Sequence, residues 1–183
     1  MSGRLTPREL AWCGLFGAAA LLLPVLFHLL HLGSVFMPMY LPLCTLPFFV
    51  GPAAAAVTAL VTPLLSGAAT GMPPFYPPVA VFMALELGAM ALVISVVSHR
   101  WPRVPEWLVL APVLAGGRLL QVGLVYAFSW WIDLPASFLA GVSFLSGWPG
   151  ILLMMAVIPP VVRASRRSLG RTGEPHSLEE TDA

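Results

Sequence analysis

The chain has 183 residues, of which 58% are hydrophobic and only 9% are charged, and its mean hydropathy is +0.89. Soluble domains carry about 25% charged residues, so this composition excludes an ordinary soluble domain and predicts a membrane protein. The net charge of +1 indicates no particular partner, and no nucleic acid partner is expected. Cys13 and Cys44 both lie in apolar runs, so no disulfide framework is indicated.

Six apolar segments are candidates for membrane spans, and they predict an all-α integral membrane protein. A spanning helix needs about 20 apolar residues, so the second and third segments are short. The second also contains Pro38, Pro42 and Pro47, which are expected to bend or break it. Six spans is the prediction and five is the main alternative. The segments cover residues 11–32, 36–50, 53–70, 79–98, 107–129 and 136–162.

The first segment follows a short N-terminal tail at residues 1–10. We interpret it as a retained helix, because its apolar run is long and no small-residue cleavage pattern follows. His28 and His31 lie near its outer end and share one helical face. A metal or haem site is one interpretation, but no carboxylate or cysteine completes a ligand set. Interfacial or ligand-lining histidines are the other, and we expect no metal and no cofactor.

The predicted outer connections are short and rich in proline, methionine and aromatic residues. "VFMPMY" contains Met37, Met39 and Tyr40, and "GMPPFYPP" contains Phe75 and Tyr76. Methionine and aromatic side chains adapt to flat organic ligands, and proline reduces the entropy that a loop loses when it closes over a site. These residues are therefore candidates for solute binding. The alternative is an ordinary belt of interfacial residues.

Two charged side chains lie deep within predicted spans. Glu86 is twelve residues above Ser98, about 18 Å along the fourth span, and Arg118 is eleven residues above Trp107, about 16 Å along the fifth. Because a short connection makes these spans antiparallel neighbours, mutual pairing is expected, with Gln121 on the same face. A closed structural pair is one interpretation. The other is a polar cavity in which these groups contact a ligand.

The sixth segment begins near "SGWPG", which places Trp148 beside a proline that interrupts the helix. The indole could stack on a ligand ring or fill a gap between helices. The segment ends in a polar stretch at residues 164–183, which we predict to be a disordered tail. The membrane domain is therefore predicted to cover residues 11–163.

Arginine sets the predicted orientation, since all nine basic residues are arginine and eight of them lie in three polar patches. The other connections lack arginine and lysine, and with six spans all three patches fall on one side. The positive-inside rule makes that side cytoplasmic, so both termini are predicted inside. The patches contain Arg4 and Arg8, then Arg100 and Arg103, then Arg163, Arg166, Arg167 and Arg171.

Motifs of familiar enzymes are missing from the sequence. It contains no phosphate-binding glycine loop, no nucleophile elbow and no metalloprotease histidine pair with an intervening glutamate. The sequence therefore predicts neither an enzyme nor an ATP site within the chain.

Several motifs together resemble the substrate-specific S-components of energy-coupling factor (ECF) transporters. They are "PMYLP", "FFVGP", "TPLLSGAATGMPP", "LELGAMALV" and "AGGR", and the resemblance covers about residues 11–163. It implies six helices in a bacterial plasma membrane with both termini cytoplasmic, and capture of a vitamin or related nutrient on the outer side. It also implies three partners, a transmembrane T-component and two cytoplasmic ATPases. The motifs do not select the solute.

The same resemblance implies that pairs of small residues in the first helices dock on the T-component, because close helix approach needs small side chains. Gly14 and Ala18 have the required spacing in the first span, and Ala55 and Ala59 have it in the third.

Two other functions stay open from the sequence. One is a small membrane enzyme that uses Glu86, Arg118 or the histidines, and it would show turnover by the isolated chain. The other is an assembly subunit, which would bind no small molecule. The candidate binding residues for the transporter hypothesis are Glu86, Arg118, Gln121, Trp148, Met37, Met39, Tyr40, Phe75, Tyr76 and His31.

Overall fold

The computed structural model describes residues 5–29, 37–76, 78–130 and 148–171, with the side chains of 28–29 and 169–171 left out of the description. Within these ranges the chain forms helices and no β-strand. A 3-10 turn, Leu46–Phe48, directly follows the second α-helix. In chain order the α-helices are α1 (Pro7–Leu29), α2 (Tyr40–Thr45), α3 (Pro52–Thr70), α4 (Val79–Arg100), α5 (Glu106–Ser129) and α6 (Trp148–Arg171).

Five of these helices, α1, α3, α4, α5 and α6, are long and apolar enough to cross a membrane. The prediction of an all-α, multi-pass membrane protein is therefore confirmed at this level. Their positions match the predicted first, third, fourth and fifth spans closely. The predicted start of the sixth span, at residue 136, lies outside the described residues.

The predicted second span is not a continuous spanning helix. Its described part is the six-residue α2 and the 3-10 turn, both buried in the protein interior. Pro47 lies in that turn, and because proline lacks an N–H the α-helix does not continue through it. The predicted interruption by proline is confirmed. Buried placement is what such an interrupted segment requires, since its free backbone groups cannot face lipid.

Both predicted tails are too long. Helix α1 begins at Pro7, four residues before the predicted start of the membrane domain. Helix α6 continues through Arg171, so the prediction of disorder from residue 164 is wrong for residues 164–171. Three of these eight residues are arginine, whose long side chain suits a helix that emerges from the apolar layer.

A capping box starts α1. The Thr6 hydroxyl accepts a hydrogen bond from the Glu9 N–H at 3.2 Å, and Glu9 Oε2 accepts one from the Thr6 N–H at 3.0 Å. Glu9 Oε1 also accepts the N–H of Gly51, the residue before α3, at 3.0 Å. One carboxylate therefore satisfies backbone donors at the starts of two helices and fixes these starts side by side.

Aromatic rings give α1 its main contact with the interior. Trp12 stacks on Phe49 with ring centroids 4.9 Å apart, and Phe16 lies 5.8 Å from the same ring. Only 6% of the α1 residues in the spanning window are buried. The described part of the chain therefore leaves most of the α1 surface uncovered.

Close packing of α3 on α4 depends on small residues. A Cβ at Gly88 would lie 3.3 Å from Leu60 Cβ and 3.6 Å from the Ala56 carbonyl oxygen. Ala55 and Ala59 both have no exposed surface. The predicted docking role of these two alanines is wrong, because a side chain that is enclosed by its own chain cannot contact a partner. Their small size serves packing within the chain instead.

The α4–α5 contact is closest at Gly117. A Cβ there would overlap the sulfur of Met90 and come within 3.2 Å of Glu86 Oε1. By contrast, a Cβ at the neighbouring Gly116 would meet nothing within 4 Å. The absence of a side chain at Gly117 therefore brings α5 against the middle of α4.

We predict that Gly117→Ala destabilises the fold by about 1–3 kcal/mol, the usual cost of adding a methyl group to a packed interior. The matched change Gly116→Ala should be neutral or stabilising by up to about 1 kcal/mol, because alanine favours helix and meets no neighbour there. Titration with denaturing detergent gives the free energy of unfolding of each variant. Equal effects of the two changes would contradict the packing described for Gly117.

Candidate functional site

Two charged side chains are buried in the part of the chain that the structure describes. Glu86 in α4 is 1% exposed and Arg118 in α5 is 7% exposed. The prediction that both are buried at matching depths of neighbouring helices is confirmed. A buried ionisable group is costly in a bilayer, so each needs a partner or a function.

The expected direct pair is not formed. Both ion pairs among the described residues involve Glu106, and neither joins Glu86 to Arg118. Instead the Tyr40 hydroxyl donates a hydrogen bond of 2.5 Å to Glu86 Oε2. The prediction of mutual pairing is therefore wrong, because Tyr40 of the buried α2 donates to the carboxylate in the place expected for Arg118. A charge-assisted hydrogen bond from a phenol satisfies the carboxylate instead.

Arg118 has only neutral neighbours among the groups that it contacts. Its Nη1 donates to Gln121 Oε1 at 2.6 Å, as the shared face of α5 predicted, and its Nη2 contacts the sulfur of Met37. Its Cζ lies 5.9 Å from the centroid of the Tyr40 ring, within range of a cation–π interaction. Tyr40 thus contacts both charged groups, and the five side chains form one polar cluster.

Three elements position this cluster. Glu86 lies in the middle of α4, Arg118 follows the close contact of α5 at Gly117, and Tyr40 is the first residue of α2. The carboxylate oxygen Oε1 of Glu86 is directed toward Gly117, the residue before Arg118. This carboxylate oxygen and the guanidinium therefore lie near the same turn of α5.

Met37 has a backbone conformation that is uncommon for its residue type, with φ of 46°. The left-handed region costs a non-glycine residue about 1–2 kcal/mol. Such conformations occur where surrounding contacts enforce them, often at functional sites. At Met37 the enforcing contacts are the buried helix α2 directly after it and the guanidinium of Arg118.

The other predicted site residues are not gathered at the cluster. Met39 is buried in the apolar core, whereas Phe75, Tyr76 and Trp148 have exposed side chains at the ends of their helices or in a connection. His31 lies outside the described residues. Binding roles for these residues stay predictions, and the structure brings together Met37, Tyr40, Glu86, Arg118 and Gln121.

Sequence reasoning missed two residues that shape the site or its frame. Gly117 was part of a quoted motif, "AGGR", but its close approach to Glu86 was not recognised. Glu9 stands three residues after Thr6, with Pro7 between them, which is a recognisable signature of a capping box. That signature could have located the start of α1.

Metal ligands do not assemble in the part of the chain with described coordinates, where no group of three His, Cys, Asp or Glu side chains comes together. The nearest arrangement of polar groups outside the cluster is at the other end of α4. There His99 Nδ1 lies 2.7 Å from the Ser95 carbonyl oxygen, and the Ser95 hydroxyl donates to the Val50 carbonyl oxygen at 2.8 Å. These contacts connect α4 to the segment before α3.

Comparisons with models of protein families, with curated proteins and with solved structures found no match to this chain. The resemblance to S-components therefore stays a prediction from motifs.

We predict that Tyr40→Phe lowers the free energy of unfolding by about 1–3 kcal/mol, because a buried acceptor loses its donor. Tyr126→Phe is the matched control, since Tyr126 is an exposed tyrosine of α5. Titration with denaturing detergent would compare the two variants with the natural chain. Similar stability of both variants would mean that the Tyr40 hydroxyl does not stabilise Glu86.

Proposed function

We propose that this chain is the substrate-binding S-component of an ECF transporter, which captures a vitamin or a related small nutrient outside the cell. The observation that carries the proposal is the buried cluster of Tyr40, Glu86 and Arg118 within a helical membrane protein. Charged side chains at such depth usually mark a path or site for a solute. The motif resemblance independently suggests the same function.

The cluster retains groups that can contact a solute. Beside the atoms that contact Tyr40, Gln121 and Met37, each charged group has a further polar atom, Oε1 in Glu86 and Nε in Arg118. A carboxylate oxygen accepts from amine, amide or hydroxyl groups, and a guanidinium donates to carboxylate or carbonyl oxygens. The ring of Tyr40 and the thioether of Met37 offer apolar contact beside these polar groups.

The proposed topology has six crossings, with residues 37–51 forming the second of them. The Glu9–Gly51 hydrogen bond supports this, because it brings the starts of α1 and α3 to the same end of the molecule. Since α1 leads away from that end, the chain must return before Gly51. The contact of Ser95, near the end of α4, with the Val50 carbonyl oxygen supports the same return.

The same end of the molecule also holds the start of α5 and the last part of α6. Glu106 forms ion pairs with Arg163 at 3.1 Å and with Arg166 at 3.9 Å. Arg100 and Arg103 lie just before α5. This concentration of arginine supports a cytoplasmic assignment for that end in a bacterial plasma membrane, with both termini inside.

We predict that a green fluorescent protein fused after Ala183 fluoresces and that alkaline phosphatase fused at the same point is inactive. Fusion after Tyr76, in the connection between α3 and α4, should give the opposite pattern and serves as the control. Whole-cell fluorescence and phosphatase activity are measured for the fusions at both points. An active phosphatase after Ala183 would contradict the six-crossing topology.

Uptake in this proposal requires a transmembrane T-component and two cytoplasmic ATPases. Gly14 and Ala18 are exposed on α1, and a Cβ at Gly14 would meet nothing within 4 Å. A partner helix can approach closely over such small residues. With Ala55 and Ala59 enclosed in the interior, α1 is the proposed docking surface.

We predict that the purified chain carries its solute without ATP, and that native mass spectrometry detects it as an added mass. Cells that express the chain alone should not accumulate the isotope-labelled form of that metabolite. Cells that also express the T-component and the two ATPases should accumulate it. Accumulation by the chain alone, turnover of the metabolite, or purified protein without any bound metabolite would each refute the proposed function.

A further inference from the structure

The cluster holds two opposite charges that are both more than nine-tenths buried and yet do not pair with each other. A buried charge without a counterion is strongly unfavourable, so proteins usually pair such groups directly. In this protein the hydrogen bonds of each charged group go to neutral groups instead. Tyr40 donates to Glu86, and Gln121 and Met37 contact Arg118.

We infer that the solute is a small organic zwitterion or amino acid-like molecule, whose carboxylate pairs with Arg118 and whose ammonium group pairs with Glu86. This rests on the proposed function, in that the cluster is taken as the solute site. The solute is thereby assigned a chemical class and an orientation between Arg118 and Glu86.

Charge balance favours a zwitterion over a solute with one charge. Glu86 and Arg118 together are neutral, so a simple anion or a simple cation would leave one net charge inside the protein. A zwitterion supplies a counterion to each group and keeps the sum at zero. Both new contacts are charge-assisted hydrogen bonds, which are stronger than those between neutral groups.

Each charged group has a position at which a solute can bind. Oε2 of Glu86 accepts from the Tyr40 hydroxyl, whereas Oε1 is directed toward Gly117, on the side of Arg118. On Arg118 the contact with Met37 is the one that a carboxylate can replace, because a thioether is a weak acceptor. The carboxylate would thus take the place of the sulfur at Nη2.

The neighbours of these positions restrict the middle of the solute. Tyr40 presents its ring toward Arg118, and Met37 and Met90 lie beside the same groups. These side chains favour an apolar or flat connection between the two charged ends.

Four compounds of similar shape test this inference: 4-(aminomethyl)benzoate, 4-methylbenzoate, 4-methylbenzylamine and 4-methylbenzamide. They are a zwitterion, an anion, a cation and a neutral molecule. The aliphatic zwitterion 4-aminobutanoate is added as a shorter probe. Each is titrated into the full-length protein in detergent, and the ligand-induced shift of the thermal unfolding midpoint is measured at constant ionic strength. We expect a shift with at least one zwitterion and a much smaller one with the three other compounds.

Two variants test which charged end of the zwitterion contacts which residue. Arg118→Lys keeps the charge but loses the planar donor fork, and Glu86→Gln keeps the shape but loses the charge. Each should weaken binding of the zwitterion about ten- to a hundredfold, as expected for one charge-assisted hydrogen bond. Arg100→Gln, at an exposed arginine outside the site, should leave binding unchanged.

If the anion or the cation binds as tightly as the zwitterions, or if no compound shifts the midpoint, the inference is wrong. The comparison within the natural chain decides this even if a variant does not fold. A co-purified metabolite that lacks one of the two charges would also overturn the inference while leaving the proposed function intact. Failure of the proposed function would appear separately, as protein without any bound metabolite.

Discussion

The hydrogen bond from the Tyr40 hydroxyl to Glu86 is the interaction on which the arrangement of the interior depends. It satisfies a carboxylate that has almost no contact with solvent, and it joins the short helix α2 to the middle of α4. A phenol can do this only from inside the helix bundle, so α2 must lie within it. The ring of the same tyrosine faces Arg118, whose other contacts are Gln121 and Met37.

Small residues let the long helices that surround the cluster approach one another closely. Gly88 of α4 allows α3 to approach closely, and Gly117 of α5 allows α5 to approach α4 closely. Tight backbone contacts of this kind replace the hydrophobic effect as a source of helix association in a bilayer, where lipid is as apolar as the side chains. The polar cluster and the glycine contacts therefore depend on each other, because the same approach that packs the helices also brings the polar groups within reach.

Much of this arrangement is predictable from the sequence, and the reasons are simple. Helix rise alone placed Glu86 and Arg118 at similar depths, and the prolines of the second segment predicted its interruption. Tyr40 and Met37 were predicted as binding residues from their residue types. The partner of Glu86 was not predictable, because it depends on how α2 is rotated and inserted, which no local pattern encodes. The same holds for Ala55 and Ala59, since small-residue spacing is identical whether a helix packs within its own chain or on a partner.

The capping arrangement at Glu9 has a consequence for the order in which contacts can form. Glu9 and Gly51 are 42 residues apart, whereas Thr6 and Glu9 are three residues apart. The bonds to the Thr6 backbone and hydroxyl require only the first turn of α1, so they can form before α3 is in place. The N–H of Gly51 then gives the second oxygen of the same carboxylate its partner and aligns the start of α3 with the start of α1. A single glutamate thus caps its own helix and also positions the next long helix.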